Sequence, residues 1–499
     1  MRRSIVLLAL LTASPLAGGP RFDPVPGPVA DHVYTGGWEH FVGGGVSVMD
    51  CNADARPDLV LAGGEKPTQL MVNRGGMDFA PQPLPGPDGA LTGVTGAYPV
   101  DLDADGTLDL FVMRAGPNVA LRGLGDCRFE VATEALGLPE GGDGWTTAFT
   151  AWWAPGAMRP TLAVGNYVDR ADPDGPFGAC DANAILTPSP EGWDAQALTP
   201  GYCPLSMLAA QDARGQLTLR LSNDRHYYVR DGAEQLWDIA EQRFLGPQHG
   251  YDPPMLWGMG IAARDLDDDG RDEVMLTSMG DQNLRLARDG GYVSAPFEMG
   301  TTAHRPHTGE DGRPSTGWHA QFGDVDNDGR ADLFIAKGNV DQMPGMAMED
   351  PNSLLMQQAD GSFAERSVAA GVASPARSRG AAMADLDGDG RLDLVVVNRR
   401  AGAELYRNVT PQTGNWLEVT LRQNGSNARA VGARVRVAGA DWSEEQEVSI
   451  GGGHAGGVAG PLHFGLGAVA AVEITVTWPD GSRTHHAPAG VNRQVTLQR

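Results

Sequence analysis

The chain is predicted to be all-β: a seven-bladed β-propeller with calcium-binding loops, followed by a small β-sandwich-like domain. Three observations predict it. An acidic loop recurs five times between strand-like runs, the repeat spacing leaves room for two further units, and the C-terminal end carries alternating strands of its own. Gly 68 and Pro 35 exceed average usage, and no segment beyond the N-terminus sustains helical periodicity.

The first element is not part of that fold. "MRRSIVLLALLTASPLA" has Arg2 and Arg3, a short apolar run from Ile5 to Leu11, and small residues at Ala13 and Ala17. It reads as a signal peptide over residues 1–17, too short to span a membrane. A secreted or periplasmic protein is expected, with no membrane span.

The acidic loops come next. They are "DCNADARPDL" from Asp50, "DLDADGTLDL" from Asp101, "DLDDDGRDEV" from Asp265, "DVDNDGRADL" from Asp324 and "DLDGDGRLDL" from Asp385. Oxygen ligands on a tight loop suit a hard cation: carboxylates at positions one, three and five, a carbonyl at seven, and glycine at six for the bend. The proposed ligands are Asp50, Asn52, Asp54 and Asp58; Asp101, Asp103, Asp105 and Asp109; Asp265, Asp267, Asp269 and Glu273; Asp324, Asp326, Asp328 and Asp332; and Asp385, Asp387, Asp389 and Asp393. The last of each set occupies position nine. An EF-hand would place a bidentate Glu at position twelve between helices, whereas Leu61, Val112, Leu276, Ile335 and Val396 stand there. Four good calcium sites and one weak one are expected, because Asn52 removes a charge and Ala55 replaces the glycine of the bend. Such ions are structural, since protein oxygens nearly fill the coordination shell.

Loop starts are separated by 51, 164, 59 and 61 residues. The long gap equals three ordinary spacings and hides two units without acidic loops, one from Thr146 and one from Leu205, which makes seven blades in residues 21–412. The last blade lacks a strand, and a segment near Arg21 to Val33 would supply it and close the ring. Residues 169–204 look like an insert. Residues 413–499 form the second domain, with "WLEVTLRQ", "ARVRVAG" and "VEITVTW" as strands.

A formal charge of −25 argues against nucleic acid as a partner, because a polyanion would be repelled. Of four cysteines, Cys180 and Cys203 are expected to pair across a Pro/Gly-rich segment, while Cys51 is equally a small buried hydrophobe or the partner of Cys127. His304, His307 and His319 with Met343, Met346 and Met348 offer soft ligands for copper, although surface loops often collect such residues. Trp145, Trp152, Trp153, Trp193 and Trp257 could stack sugars but fit blade cores better. G-x-S-x-G, H-E-x-x-H and P-loop motifs are absent.

Through its five loops, over about residues 35 to 410, the chain resembles the FG-GAP/VCBS repeat propellers of the integrin-α-like class. Its end, with "GSN", "GARV", "LHFGLG" and "WPDG" in order, resembles the ASPIC/UnbV domain. That pairing is similar to the cartilage acidic protein family and its bacterial relatives. One segment departs: "HAGGVAG" stands where the family tends to have a Ser-Gln-containing stretch. The resemblance implies an exported calcium-binding propeller and transfers no catalytic residues. The expected function is a non-catalytic interaction or adhesion module for a protein or glycan; the alternative is a polysaccharide-active lyase or hydrolase on the same scaffold.

Overall fold

In the computed structural model, seven four-stranded antiparallel sheets follow one another along the chain; the structure describes residues 18–499 apart from 140, 173–178, 225–231, 303 and 488–489. The segment read as a signal peptide lies outside the described residues. Inner strands are Val46–Met49, Val94–Val100, Thr146–Trp152, Pro204–Gln211, Gly258–Arg264, Gly317–Gly323 and Ser378–Ala384. Each touches the next, and the seventh touches the first, so the sheets close into a ring of blades 1 to 7.

Closure leaves these strands without a solvent-facing side. Every residue of Val94–Val100, Thr146–Trp152 and Ser378–Ala384 is buried, because each strand has a neighbouring blade on both faces. Small side chains and glycine therefore dominate where six or seven strands converge. The outer strand of blade 7 is Phe22–Pro24, paired with Glu404–Asn408, so the ring is locked by strands from opposite ends of the propeller sequence.

Blades 3 and 4 occupy the long gap between acidic loops. The segment read as an insert, 169–204, needs correction: Asn183–Ser189 and Gly192–Leu198 are the two outer strands of blade 3, paired over their whole length. Only the connection before Asn183 is extra. Its Pro/Gly content concealed a long hairpin, because strand pairing there is made largely by backbone. Cys180 is bonded to Cys203, and Cys51 to Cys127, which settles the alternative left open for Cys51.

Beyond the ring, Leu462–Gly467, Asn415–Arg422 and Arg493–Gln498 form one sheet, and Ser443–Glu447, Arg434–Ala438, Glu473–Thr477 and Arg483–His486 another. Leu417, Val435, Phe464, Ile474 and Trp478 fill the space around which both sheets gather. The tryptophans considered as sugar platforms are packed inside the protein: Trp145, Trp152 and Trp193 are buried, and Trp153 and Trp257 lie partly buried against blade cores.

The metal-ligand loops and the domain junction

Each acidic loop joins the inner strand of its blade to the second strand, so all five lie on one face of the ring. Their hydrogen bonding is nearly identical. The carboxylate at position one accepts backbone N–H groups from the loop it opens: Asp324 from Asp328 and Gly329, Asp385 from Gly388, Asp389 and Gly390, Asp101 from Ala104 and Gly106. Position five accepts the N–H of position seven, as Asp105 does from Thr107 and Asp269 from Arg271.

The ninth carboxylate ties the loop to the sheet. Asp109 accepts the N–H groups of Leu102 and Gly123, Asp332 those of Val325 and Gln357, and Asp393 those of Leu386 and Asn408. One side chain thus holds the second loop residue and the third strand together. The apolar residue at position two, Leu102, Val325 or Leu386, is buried beneath.

Carboxylate oxygens converge within 4.8 Å of one another in Asp101, Asp103 and Asp109, in Asp324, Asp326 and Asp332, and in Asp385, Asp387 and Asp393. In blade 5 the converging group is Asp265, Asp267 and Asp269. Glu273 stands outside it, accepting the N–H groups of Leu266 and Ala287 and lying 3.4 Å from Arg288. Asp105, Asp328 and Asp389 likewise stand outside their groups; Asp328 and Asp389 pair with Arg330 and Arg391. In blade 1 the converging atoms belong to Cys51, Asp58 and Cys127, two of which are disulfide sulfurs. Asp54 there is engaged by Asn52 and Arg56, and Ala55 holds φ of 63°, in the glycine region.

A cation fits these groups. One carboxylate oxygen each of Asp103, Asp326 and Asp387, the third position in three loops, is buried without a hydrogen-bond partner. Burial pushes Asp109 and Asp385 up to about 7 and Asp265 up to about 6, and neighbouring carboxylates add to the rise. A metal ion would supply the charge that such crowded carboxylates lack.

The soft-ligand candidates do not assemble. His319 lies in the central channel, His304 pairs with Asp281, and His307 hydrogen-bonds Ser367 at 2.9 Å, while Met346 is buried in an aromatic cluster around Trp145 and Trp318. No group of metal-ligating residues among the described ones includes these histidines.

The C-terminal domain packs onto the loop face, against the loops of blades 5, 6 and 7, and enters the ring. Its segment 449–460, containing "GGGHAGG", runs along the channel and hydrogen-bonds six inner strands in turn. Gly457 O accepts from Val48 N at 3.0 Å, Gly452 O from the Tyr98 hydroxyl at 3.1 Å, and Ile450 O from the Thr150 hydroxyl. Gly452 N donates to Met207 O at 2.7 Å, Gly453 N to Ile261 O at 2.6 Å, and His454 N to His319 Nδ1 at 3.0 Å. Val458–Ala459 adds a parallel strand to Val48 and Met49. Glycine is required by closeness: a Cβ at Gly456 would lie 2.0 Å from Val46 O. A cavity of about 480 Å3 remains between channel and domain, bordered by Tyr98, Arg264, His319, Gln321, Glu418 and Glu447.

Ion pairs fasten the rim. Arg434 reaches Asp272 beneath blade 5's loop at 3.3 Å and its own strand neighbours Glu445 and Glu447 at 2.5 and 3.2 Å, and Arg264 meets Glu444 at 3.4 Å. Sequence reading missed this junction. Its signal, three consecutive glycines followed by His-Ala-Gly-Gly, was visible only as a departure from a family pattern.

Comparison with known proteins agrees with this architecture. Residues 423–499 match the model described as ASPIC and UnbV, and residues 50–112 and 345–396 the FG-GAP-like repeat. Mouse cartilage acidic protein 1 is 22% identical over 100% of this chain and 80% of its own length; the human protein is 26% identical over 46% of this chain and 34% of its own. Among solved structures, the extracellular domain of a hybrid two-component system from B. thetaiotaomicron overlaps 96% of this chain and 59% of its own, at 8% identity and a TM-score of 0.42. Residues 50–112 and 345–396 are thus FG-GAP-like repeats within the ring of blades, and residues 423–499 an ASPIC/UnbV domain beyond it.

Proposed function

We propose that this protein is a calcium-stabilised, non-catalytic interaction module that works outside the reducing cytosol, binding a protein or glycan on the propeller face opposite the acidic loops. Two disulfides support the compartment, since such bonds persist where the surroundings are oxidising. Calcium is a hard cation that takes oxygen ligands, which three converging carboxylates supply in each of blades 2, 5, 6 and 7. Asp101, Asp103 and Asp109 would hold it in blade 2, the corresponding side chains in blades 6 and 7, and Asp265, Asp267 and Asp269 in blade 5.

The carrying observation is the occupied channel. An enzyme on this scaffold would use a pocket on the ring axis with paired acid and base groups, and here the axis is filled by residues 449–460, hydrogen-bonded strand by strand. The acids beside the remaining cavity are engaged elsewhere: Asp272, Glu445 and Glu447 with Arg434, Glu418 with Gln494, and Asp50 and Asp385 within their loops. The C-terminal domain occupies part of the loop face too, and the opposite face offers a surface for partners. There Trp38 is half exposed, its ring tilted against Phe41 at 4.6 Å with Trp145 behind it, and Cys180–Cys203 braces the neighbouring connection.

A glycan array and a protein-capture screen, each run with calcium and with chelator, test the reading alongside a polysaccharide turnover assay. Calcium-dependent binding weakened by Trp38→Ala is expected. Reducing-end or unsaturated-product formation on any polysaccharide would overturn it.

A further inference from the structure

The fourth position of the acidic loop belongs to no ligand set. All five residues there hold left-handed backbone: Ala53 at φ 58°, Ala104 at 64°, Asp268 at 57°, Asn327 at 55° and Gly388 at 78°. Alanine and glycine at this position offer no side-chain hydrogen bond, only the backbone N–H that the first carboxylate accepts in blades 2 and 7. In blades 5 and 6 the position is polar, and both side chains touch the C-terminal domain. Asp268 accepts from the Arg436 guanidinium at 2.9 and 3.3 Å and from the Ser443 hydroxyl. Asn327, fully buried, donates through Nδ2 to Gly390 O of the next loop at 2.8 Å and accepts through Oδ1 from His463 Nε2 at 2.8 Å.

We infer that Asp268 and Asn327 are positioning residues that couple cation binding in blades 5 and 6 to seating of the C-terminal domain, an inference that rests on the calcium reading above. The domain reads the backbone shape of blade 6's loop as well as its side chain. Gly414 N donates to Asp326 O at 3.1 Å, Gly467 N to Asn327 O at 2.8 Å and the Trp442 indole to Gly329 O at 2.9 Å. Gly465 is pressed so close that a Cβ would sit 1.9 Å from Asp324 Oδ2. The acceptors used for docking are thus the carbonyls of the residues among which the cation is held. A loop distorted by repelling carboxylates misplaces them, and a loop closed on a cation aligns them. Coupling of this kind is reciprocal: docking raises cation affinity by the same factor that the cation favours docking.

Asn327→Ala separates the coupling from the ligands, since alanine already occupies this position with the same backbone conformation in blades 1 and 2. Calcium titration of the full chain by calorimetry is paired with amide hydrogen exchange in calcium and in chelator. In the wild type, chelation is expected to speed exchange at Gly452, Gly453 and His454 at least tenfold. Asn327→Ala is expected to keep the number of bound ions, weaken one site three- to tenfold, and speed exchange at those three amides in calcium while strand Thr161–Asn166 is unchanged. Asp268→Ala does the same for a second site. The inference falls if calcium binds while exchange at the three amides ignores the chelator, or if Asn327→Ala changes neither affinity nor exchange. An absence of calcium binding overturns both this coupling and the reading beneath it.

Discussion

The backbone N–H of His454 donates to Nδ1 of His319 across 3.0 Å, joining the C-terminal domain to an inner strand of blade 6 inside the channel. That bond requires a lone pair on Nδ1, so His319 is neutral with its proton on Nε2. Gly43 N likewise donates to Nε2 of His454 at 3.1 Å. Burial pushes His319 down to about 4 and His454 down to about 3, with the Arg379 guanidinium adding to the second. Both must charge in the unfolded chain below its ordinary histidine range, so the unfolded state binds more protons there and stability falls as the pH is lowered. Their contribution is complete above about pH 6.5 and declines toward pH 4, by about 1.4 kcal/mol per unit for each group. Urea melts at pH 7, 6 and 5 in excess calcium are expected to show a shallower loss for His319→Gln than for the wild type.

Removing calcium is expected to lower the melting temperature, and calcium but not sodium restores it. Each site filled at a hundredfold excess over its Kd contributes about 2.7 kcal/mol. Asp326→Asn and Asp387→Asn weaken this response because each changes a carboxylate whose buried oxygen has no protein partner. Scanning calorimetry with and without chelator gives the comparison.

Blade 1 is expected to gain a strong site from Asn52→Asp combined with Ala55→Gly. The first change restores a carboxylate at position three, and the second relieves a residue held at φ 63°, worth about 1 kcal/mol. Calorimetric titration should show one additional tight site relative to the wild type.

Gly456→Val is expected to displace the channel segment, since its Cβ would meet Val46 O at 2.0 Å and backbone cannot yield as a side chain would. A cost of about 3 kcal/mol is expected. Limited proteolysis should then cut within 449–460, a segment protected in the wild type.

The loops were legible because every proposed ligand falls within nine consecutive residues, where local spacing carries the chemistry. Even so, positions five and nine did not behave alike in all blades: Glu273 makes the usual bonds to Leu266 and Ala287 but also meets Arg288, and Asp328 pairs with Arg330. Longer side chains and neighbouring arginines decide such matters. The outer hairpin of blade 3 was hidden for another reason, because its residues pair through backbone and show little apolar alternation.

By itself, the sequence determined the repeat, its acidic chemistry, the number of blades and the presence of a second β domain, since each follows from short-range pattern and spacing. Only the tertiary structure decided that "GGGHAGG" fills the channel, that Asn327 meets His463, and that the C-terminal domain packs onto the loop face. Those contacts join residues more than a hundred positions apart. Several are made by glycine, which contributes backbone and the absence of a side chain, and neither leaves a periodic trace in the sequence.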